Sequence, residues 1–457
     1  MASHEKFSFA TLDQLRQKIR DLGVDIGLSD DLSPLQKPVR IGDLTAPNAL
    51  AALPMEGCDS LPDGSPSELV ERRYKRFAGG GAGLLWWEAC AVVEEGKAND
   101  LQMTLTRQNA GRFAALLANA NGEAARRNGA DHRPVNVLQL THSGRYSRPH
   151  GHRMIPFAPQ RDPLLDPRVG LGPGAPLVSD AYLDDMIGRY ALCAKLAMEA
   201  GFDGVDIKAC HRYLISELLA GHTRQGKYGG NFDNRTRFLL DVIGAVRRET
   251  GSRFLIACRF NAFDAHPYPY GFGGDREDMW RFDPAEPAAL TRLLVKNGVG
   301  LLSNSAGNPY YIYPQVTRPF DLASAGVPLP EEHPLESVAR LLGLTRSIQK
   351  EAGDVPVVGS GYSWLRQFIP CVGAASIASG GCAFVGLGRS SFAYPDAPRD
   401  IWRGGTMDPQ KCCVSCSRCT QIMRDHGRTG CVIRDAQVYG PLYAQYREEA
   451  IAREGAK

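Results

Sequence analysis

A (β/α)8 barrel, the TIM fold, is the class this sequence predicts, and three observations predict it. Eight short apolar runs recur along the chain, each followed by a polar or glycine residue and then a helical pattern. The runs are apolar throughout instead of alternating, as parallel strands buried on both faces are. Polar side chains stand where runs finish, and glycine turns follow the last two, as at the C-terminal face of a barrel. A doubly wound open sheet also alternates strands with helices, and the pattern alone leaves it open.

The elements follow in order. An amphipathic helix opens the chain, with Leu12, Leu15, Ile19 and Leu22 on one face and Thr11 and Gln14 at capping-box spacing. Residues 1–38 read as a helical extension and 39–400 as the barrel. Strands are expected over 49–54, 82–88, 135–140, 204–208, 254–259, 300–304, 355–359 and 383–386. Among the intervening helices the clearest is "NRTRFLLDVIGAVRRE", where Phe238, Leu239, Val242, Ile243 and Val246 form one stripe. Residues 401–457 carry a cysteine cluster and a polar helical tail.

Composition narrows the function classes. With 43% hydrophobic and 23% charged residues, the chain has material for a large core. A net charge of +3 gives no nucleic-acid footprint, and no uncharged apolar run approaches a membrane span. The charged N-terminus is not a signal peptide, so a cytoplasmic protein is expected. Its 12 cysteines are then not expected to form disulfides.

The strand ends are where chemistry is expected. Glu88, Gln139, Lys208, Arg259 and Asn304 each finish an apolar run. Gly359, Ser360 and Gly361 follow the seventh run, and "GLGR", with Gly388 and Arg389, follows the eighth. Backbone amides in such turns approach a phosphate closely, and a guanidinium adds a fork of donors, so a phosphorylated ligand is expected there.

Cys413, Cys416, Cys419 and Cys431 have the spacing C-x2-C-x2-C-x11-C. A close triplet with a distant fourth thiolate suits a cubane iron–sulfur cluster. Zinc more often takes separated pairs or histidines, and His426 keeps it open. Cys412 is a register alternative; the other seven cysteines read as small buried hydrophobes.

In order along residues 39–439 stand "LPMEGCDSLPDGSPSELVERRYKRFAGGGAGLLWWEA", "LQLTHSGR", "GVDIKACHRYLISELL", "KYGGNFDNRTRFLLDVI", "SAGNPYY" and "VGLGR", then the cysteines. This series resembles the old yellow enzyme family of flavin-mononucleotide barrels, in its iron–sulfur branch with 2,4-dienoyl-CoA reductase and trimethylamine dehydrogenase. The resemblance implies bound FMN. Pro54 and Met55 would lie along the isoalloxazine, Gln139 at its pyrimidine edge, and Arg259 near N1, with Glu88 and Ala89 as a further strand-end contact. It also favours a [4Fe–4S] cluster on Cys413, Cys416, Cys419 and Cys431.

"KACHRYL" would face the substrate. Lys208 and His211 stand where the family pattern has His and Asn, and Tyr213 matches the family's tyrosine proton donor. Glu56 stands where many relatives carry Thr or Cys, and the loss of the usual His leaves the substrate class open. The implied reaction is reduction of a C=C bond conjugated to a carbonyl, carboxylate or thioester. Amine dehydrogenation or N-demethylation, with electrons leaving through the cluster, is the alternative, and an electron-transfer subunit is a third reading. A cluster beside FMN is needed only where electrons move singly. With no G-x-G-x-x-G after a strand, a second flavin region is expected to be absent. The expected partners are a small-molecule substrate and a separate flavoprotein subunit, ferredoxin or flavodoxin; a homo-oligomer is compatible with the sequence.

Overall fold

The structure is a computed structural model and describes residues 3–310, 314–323 and 326–455. Its first strands, β1 (Val39–Ile41) and β2 (Leu44–Ala46), form an antiparallel hairpin. The sequence pattern did not single it out, since three residues are too few to show a period. Ile41 and Ala46 pack with Leu84, Val135, Leu255 and Leu301 from the beginnings of barrel strands, so the hairpin plugs the N-terminal end.

Eight parallel strands then close a barrel: β3 (Leu50–Ala52), β4 (Leu84–Ala91), β5 (Val135–Thr141), β6 (Gly204–Ile207), β7 (Leu255–Phe263), β8 (Leu301–Ala306), β9 (Val357–Gly359) and β10 (Phe384–Leu387). Closure runs through Val385 opposite Leu50 and Gly386 opposite Ala51. This is the expected (β/α)8 fold, and the open sheet is excluded.

Helices pack outside because their stripes match the strands' outer faces. In Phe232–Thr250 the five stripe residues are all buried, and Asn231 caps the helix by accepting from the Asn234 N–H. Within β4 the two tryptophans divide the layers. Trp86 joins the barrel interior, whereas Trp87 stacks on Tyr74 of Glu68–Gly79 with centroids 3.7 Å apart.

At the start, helix Leu12–Leu22 carries the expected capping box, and Leu15 and Ile19 are buried beside Trp364 and Leu365. At the other end, residues after the barrel fold back over its C-terminal face. The Thr429 N–H donates to the Gly57 carbonyl at 2.6 Å. Asp435 accepts from Arg72 at 2.7 Å and is also bridged by Arg76. Among the described residues, no helix is long and apolar enough to cross a membrane.

Candidate active site

The site is built on the strained turn after β6. His211 and Arg212 have φ of 65° and 59°, a left-handed pair without glycine. Each such residue costs roughly 1–3 kcal/mol unless its surroundings hold it. The Arg212 guanidinium supplies that hold: fully buried, it donates to Asp264 at 2.9 Å and lies 3.5 Å from Asp162 and 3.7 Å from Glu217. Arg145 donates to Glu217 at 2.6 Å, and His266 lies 2.8 Å from Asp162. Arg212→Met is therefore expected to cost about 3–5 kcal/mol, the range for removing one partner from a buried ionic group. Chemical denaturation measures it, and a loss below about 1 kcal/mol, that of an exposed pair, contradicts this anchoring.

Anchored in this way, the turn aims its side chains into a cleft over the barrel's C-terminal end. Lys208 lies 3.4 Å from Glu56 Oε1, with its ammonium 4.0 Å from the centroid of the Tyr213 ring. His211 Nε2 lies 3.0 Å from Ser305 Oγ. Burial, then Arg259, Lys208 and Arg318, hold His211 well below its ordinary range, so the imidazole is neutral. Burial foremost, then Glu56, push the Tyr213 phenol well above its usual value, so it holds its proton.

The remaining predicted residues divide. Pro54, Met55, Gln139, Arg259, Ser360, Gly361, Gly388 and Arg389 line the same cleft as Lys208, His211 and Tyr213. Glu88, Ala89 and Gly359 are not among the lining residues. A bulge in β4 between Trp87 and Cys90 alters the register at Glu88. Its carboxylate accepts from the Gly57 N–H at 2.8 Å and from Arg73 at 2.5 Å. The Ala89 carbonyl accepts from Gln102 at 3.1 Å. Gly359 is a close-packing position, where a Cβ would meet the Tyr362 hydroxyl at 2.9 Å.

Several contributors escaped sequence reasoning. Asp206, inside the barrel, accepts from Gln139 at 2.6 Å, from Trp86 at 2.9 Å and from the Arg259 N–H at 2.8 Å. It thereby orients two cleft residues, and burial pushes its pKa up to about 6. Its signal was present, a charge in the middle of the apolar run "GVDIK". Tyr310, Arg318, Met423, Arg424 and Thr429 also line the cleft. Burial and neighbouring Arg389 pull Arg318 down to about 9.

A second, smaller cavity adjoins the first. Cys413, Cys416, Cys419 and Cys431 all line it, with Arg389 and Phe392. Cys419, Arg389 and Phe392 line the cleft as well, so they are a shared wall. Burial pushes the Cys419 thiol up to about 12, and the Arg434 N–H donates to Cys431 Sγ at 3.2 Å. Cys412 instead donates to the Asp408 carbonyl at 3.4 Å, and His426 Nε2 lies 3.0 Å from Arg148; neither lines this cavity. Among the described residues, no three His, Cys, Asp or Glu side chains converge on a point that would hold one metal ion.

Comparison with known proteins agrees with the barrel fold. The model of the NADH:flavin oxidoreductase / NADH oxidase family matches residues 34–268. The chain is 27% identical over 389 residues to a metal reductase of Desulforamulus reducens, covering 85% of this chain and 51% of that protein. It is 24% identical over 421 residues to a cinnamate reductase of Clostridium sporogenes, covering 90% and 58%. In fold it is similar to 2-naphthoyl-CoA reductase solved with 2-naphthoyl-CoA. There the TM-score is 0.69 at 19% identity, over 88% of this chain and 57% of that one. The chain spans about half the length of the first curated relatives it matches. It belongs to the NADH:flavin oxidoreductase / NADH oxidase family, FMN-dependent oxidoreductases of the old yellow enzyme type.

Proposed function

We propose that this chain reduces a C=C bond conjugated to a carbonyl, carboxylate or thioester, with FMN in the cleft and a [4Fe–4S] cluster on Cys413, Cys416, Cys419 and Cys431. Its electrons come from a separate redox protein, such as a flavoprotein subunit, ferredoxin or flavodoxin. The observation that carries the reading is the convergence of Lys208, His211 and Tyr213 on one cleft whose wall is shared with the four-thiol cavity.

The residues fit both groups. Arg259 Nε and Arg389 Nη1 are buried with no hydrogen-bond partner among the described residues, and both side chains line the cleft. Buried guanidinium donors without partners are costly, and an anionic ligand satisfies them. Gly361 has φ of 99°, and together with Gly388 it leaves the backbone open toward a phosphate. Four cysteines lining one cavity offer the four thiolates that such a cluster takes.

When bound, FMN supplies a hydride for the β-carbon and the cluster supplies electrons singly. The chain's own residues do the rest. Lys208 brings a fixed ammonium and His211 a neutral imidazole to the substrate's carbonyl or carboxylate oxygen, where negative charge develops. Glu56 holds Lys208 in place. Tyr213, with its proton held firmly, donates it to the α-carbon.

The test is anaerobic. Purified chain is expected to carry about four irons with acid-labile sulfide and one FMN, and its dithionite-reduced form is expected to be reoxidised by enoates or enoyl thioesters. Zinc in place of iron contradicts the cluster. Indifference to every activated alkene, with bleaching of the oxidised enzyme by a secondary or tertiary amine, contradicts the direction of the reaction.

A further inference from the structure

Tyr213 has a neighbour that the sequence reading did not assign. Its hydroxyl lies 2.8 Å from that of Tyr310. The Tyr310 ring stacks on Tyr146 with centroids 4.1 Å apart and planes at 12°. Tyr146 is held in turn by Asn308, whose amide donates to its hydroxyl at 2.6 Å. These contacts hold the second phenol beside the first.

The two phenols have different surroundings. Tyr213 is 3% exposed and faces Glu56 and the buried Cys58, with Lys208 over its ring. Tyr310 is only half-buried, and the Arg424 guanidinium lies 4.1 Å from its ring centroid. The Arg148 charge acts on both phenols, on Tyr310 more than on Tyr213. Burial raises both phenols. Glu56 and Tyr310 push Tyr213 further up, whereas Arg424 pulls Tyr310 back against a lesser push from Glu56, and the bond with Tyr213 and then Arg148 add smaller pulls. Of the two, Tyr310 is the more exposed and has Arg424 beside it, which favours negative charge there.

We propose that Tyr213 and Tyr310 form a proton pair in which Tyr310 replaces the proton that Tyr213 gives up, with Arg424 holding the resulting charge. This rests on the alkene-reduction reading. After hydride addition at the β-carbon, the α-carbon keeps the electron pair of the former double bond. A C–H bond forms there as the Tyr213 O–H bond breaks, and the Tyr310 hydroxyl proton passes to Tyr213. The charge that began on the substrate ends on the Tyr310 phenolate, which water reprotonates. Tyr310 acts through Tyr213 and touches no reacting atom.

The test needs no substrate. Difluorotyrosine, whose phenol ionises near neutral pH, is placed at position 310 or 213 of the FMN-loaded chain and titrated by fluorine NMR. The label at 310 is expected to ionise about one pH unit or more below the label at 213. Arg424→Gln should raise the 310 midpoint, and Arg424→Lys should restore most of it. Equal midpoints, or a 310 label indifferent to Arg424→Gln in a chain that keeps its FMN, overturn the proposal. If Arg424→Gln does not fold, the comparison of the two labels decides alone. As a second arm, the solvent isotope effect on oxidation of the prereduced enzyme by cinnamate should indicate two protons in flight, and only one in Tyr310→Phe. The expected titration with no alkene reduced overturns the reaction reading and leaves the pair standing. Alkene reduction without the expected titration removes the pair alone.

Discussion

Tyr213→Phe is expected to slow oxidation of the prereduced enzyme by an activated alkene about 10²–10⁴-fold, the usual contribution of a positioned general acid. The substitution removes one oxygen and preserves the ring that Lys208 covers at 4.0 Å. Substrate affinity should change little, because in the proposed reading Lys208 and His211 hold the oxygen end of the substrate, and the Tyr213 hydroxyl bonds to Tyr310 and not to either of them. Single-turnover mixing of dithionite-reduced enzyme with the alkene measures the step without an electron donor. A parent-like rate in Tyr213→Phe would place proton donation elsewhere, with His211 next. Removing Lys208 should differ in kind: both affinity and rate should fall if, as proposed, its charge meets the substrate before and during the reaction.

Cys416→Ser is expected to abolish the cluster and partner-driven turnover while leaving FMN bound. Among the described residues the two cavities share Cys419, Arg389 and Phe392, and the groups proposed to hold FMN belong to barrel strands and the turns after them. Cys416 lines only the smaller one. A hydroxyl is a poor substitute for a thiolate at iron, so one lost corner should empty the cavity. Iron and flavin analysis, with dithionite reduction of FMN and with reduction through a ferredoxin, separates the effects. Unchanged ferredoxin-driven rates in an iron-free variant contradict transfer through the shared wall.

Much of this site was legible because its signals are local. Gln139, Lys208 and Arg259 end apolar runs, and those runs are strands wherever they stand in the barrel. Glu88 looked the same in sequence, yet the bulge in β4 gave its carboxylate to Arg73. A bulge is set by the neighbouring strand and helix, and the run "LLWWEACA" carries no mark of it. Asp206 was visible as a charge in an apolar run, but its partners Gln139 and Trp86 come from two other strands.

By itself, then, the sequence determined the eight strands and the cysteine spacing, because side-chain periodicity and short spacings are properties of neighbouring residues. Tertiary structure alone decided that the cysteine segment closes the cleft. That placement depends on Asp435 meeting Arg76, 359 positions away, and on Thr429 bonding the Gly57 carbonyl. It brings Arg424 over Tyr310 and Cys419 into the wall between the two cavities. Contacts at such separation leave no periodic trace, since each residue's own neighbours in the chain would be the same without them.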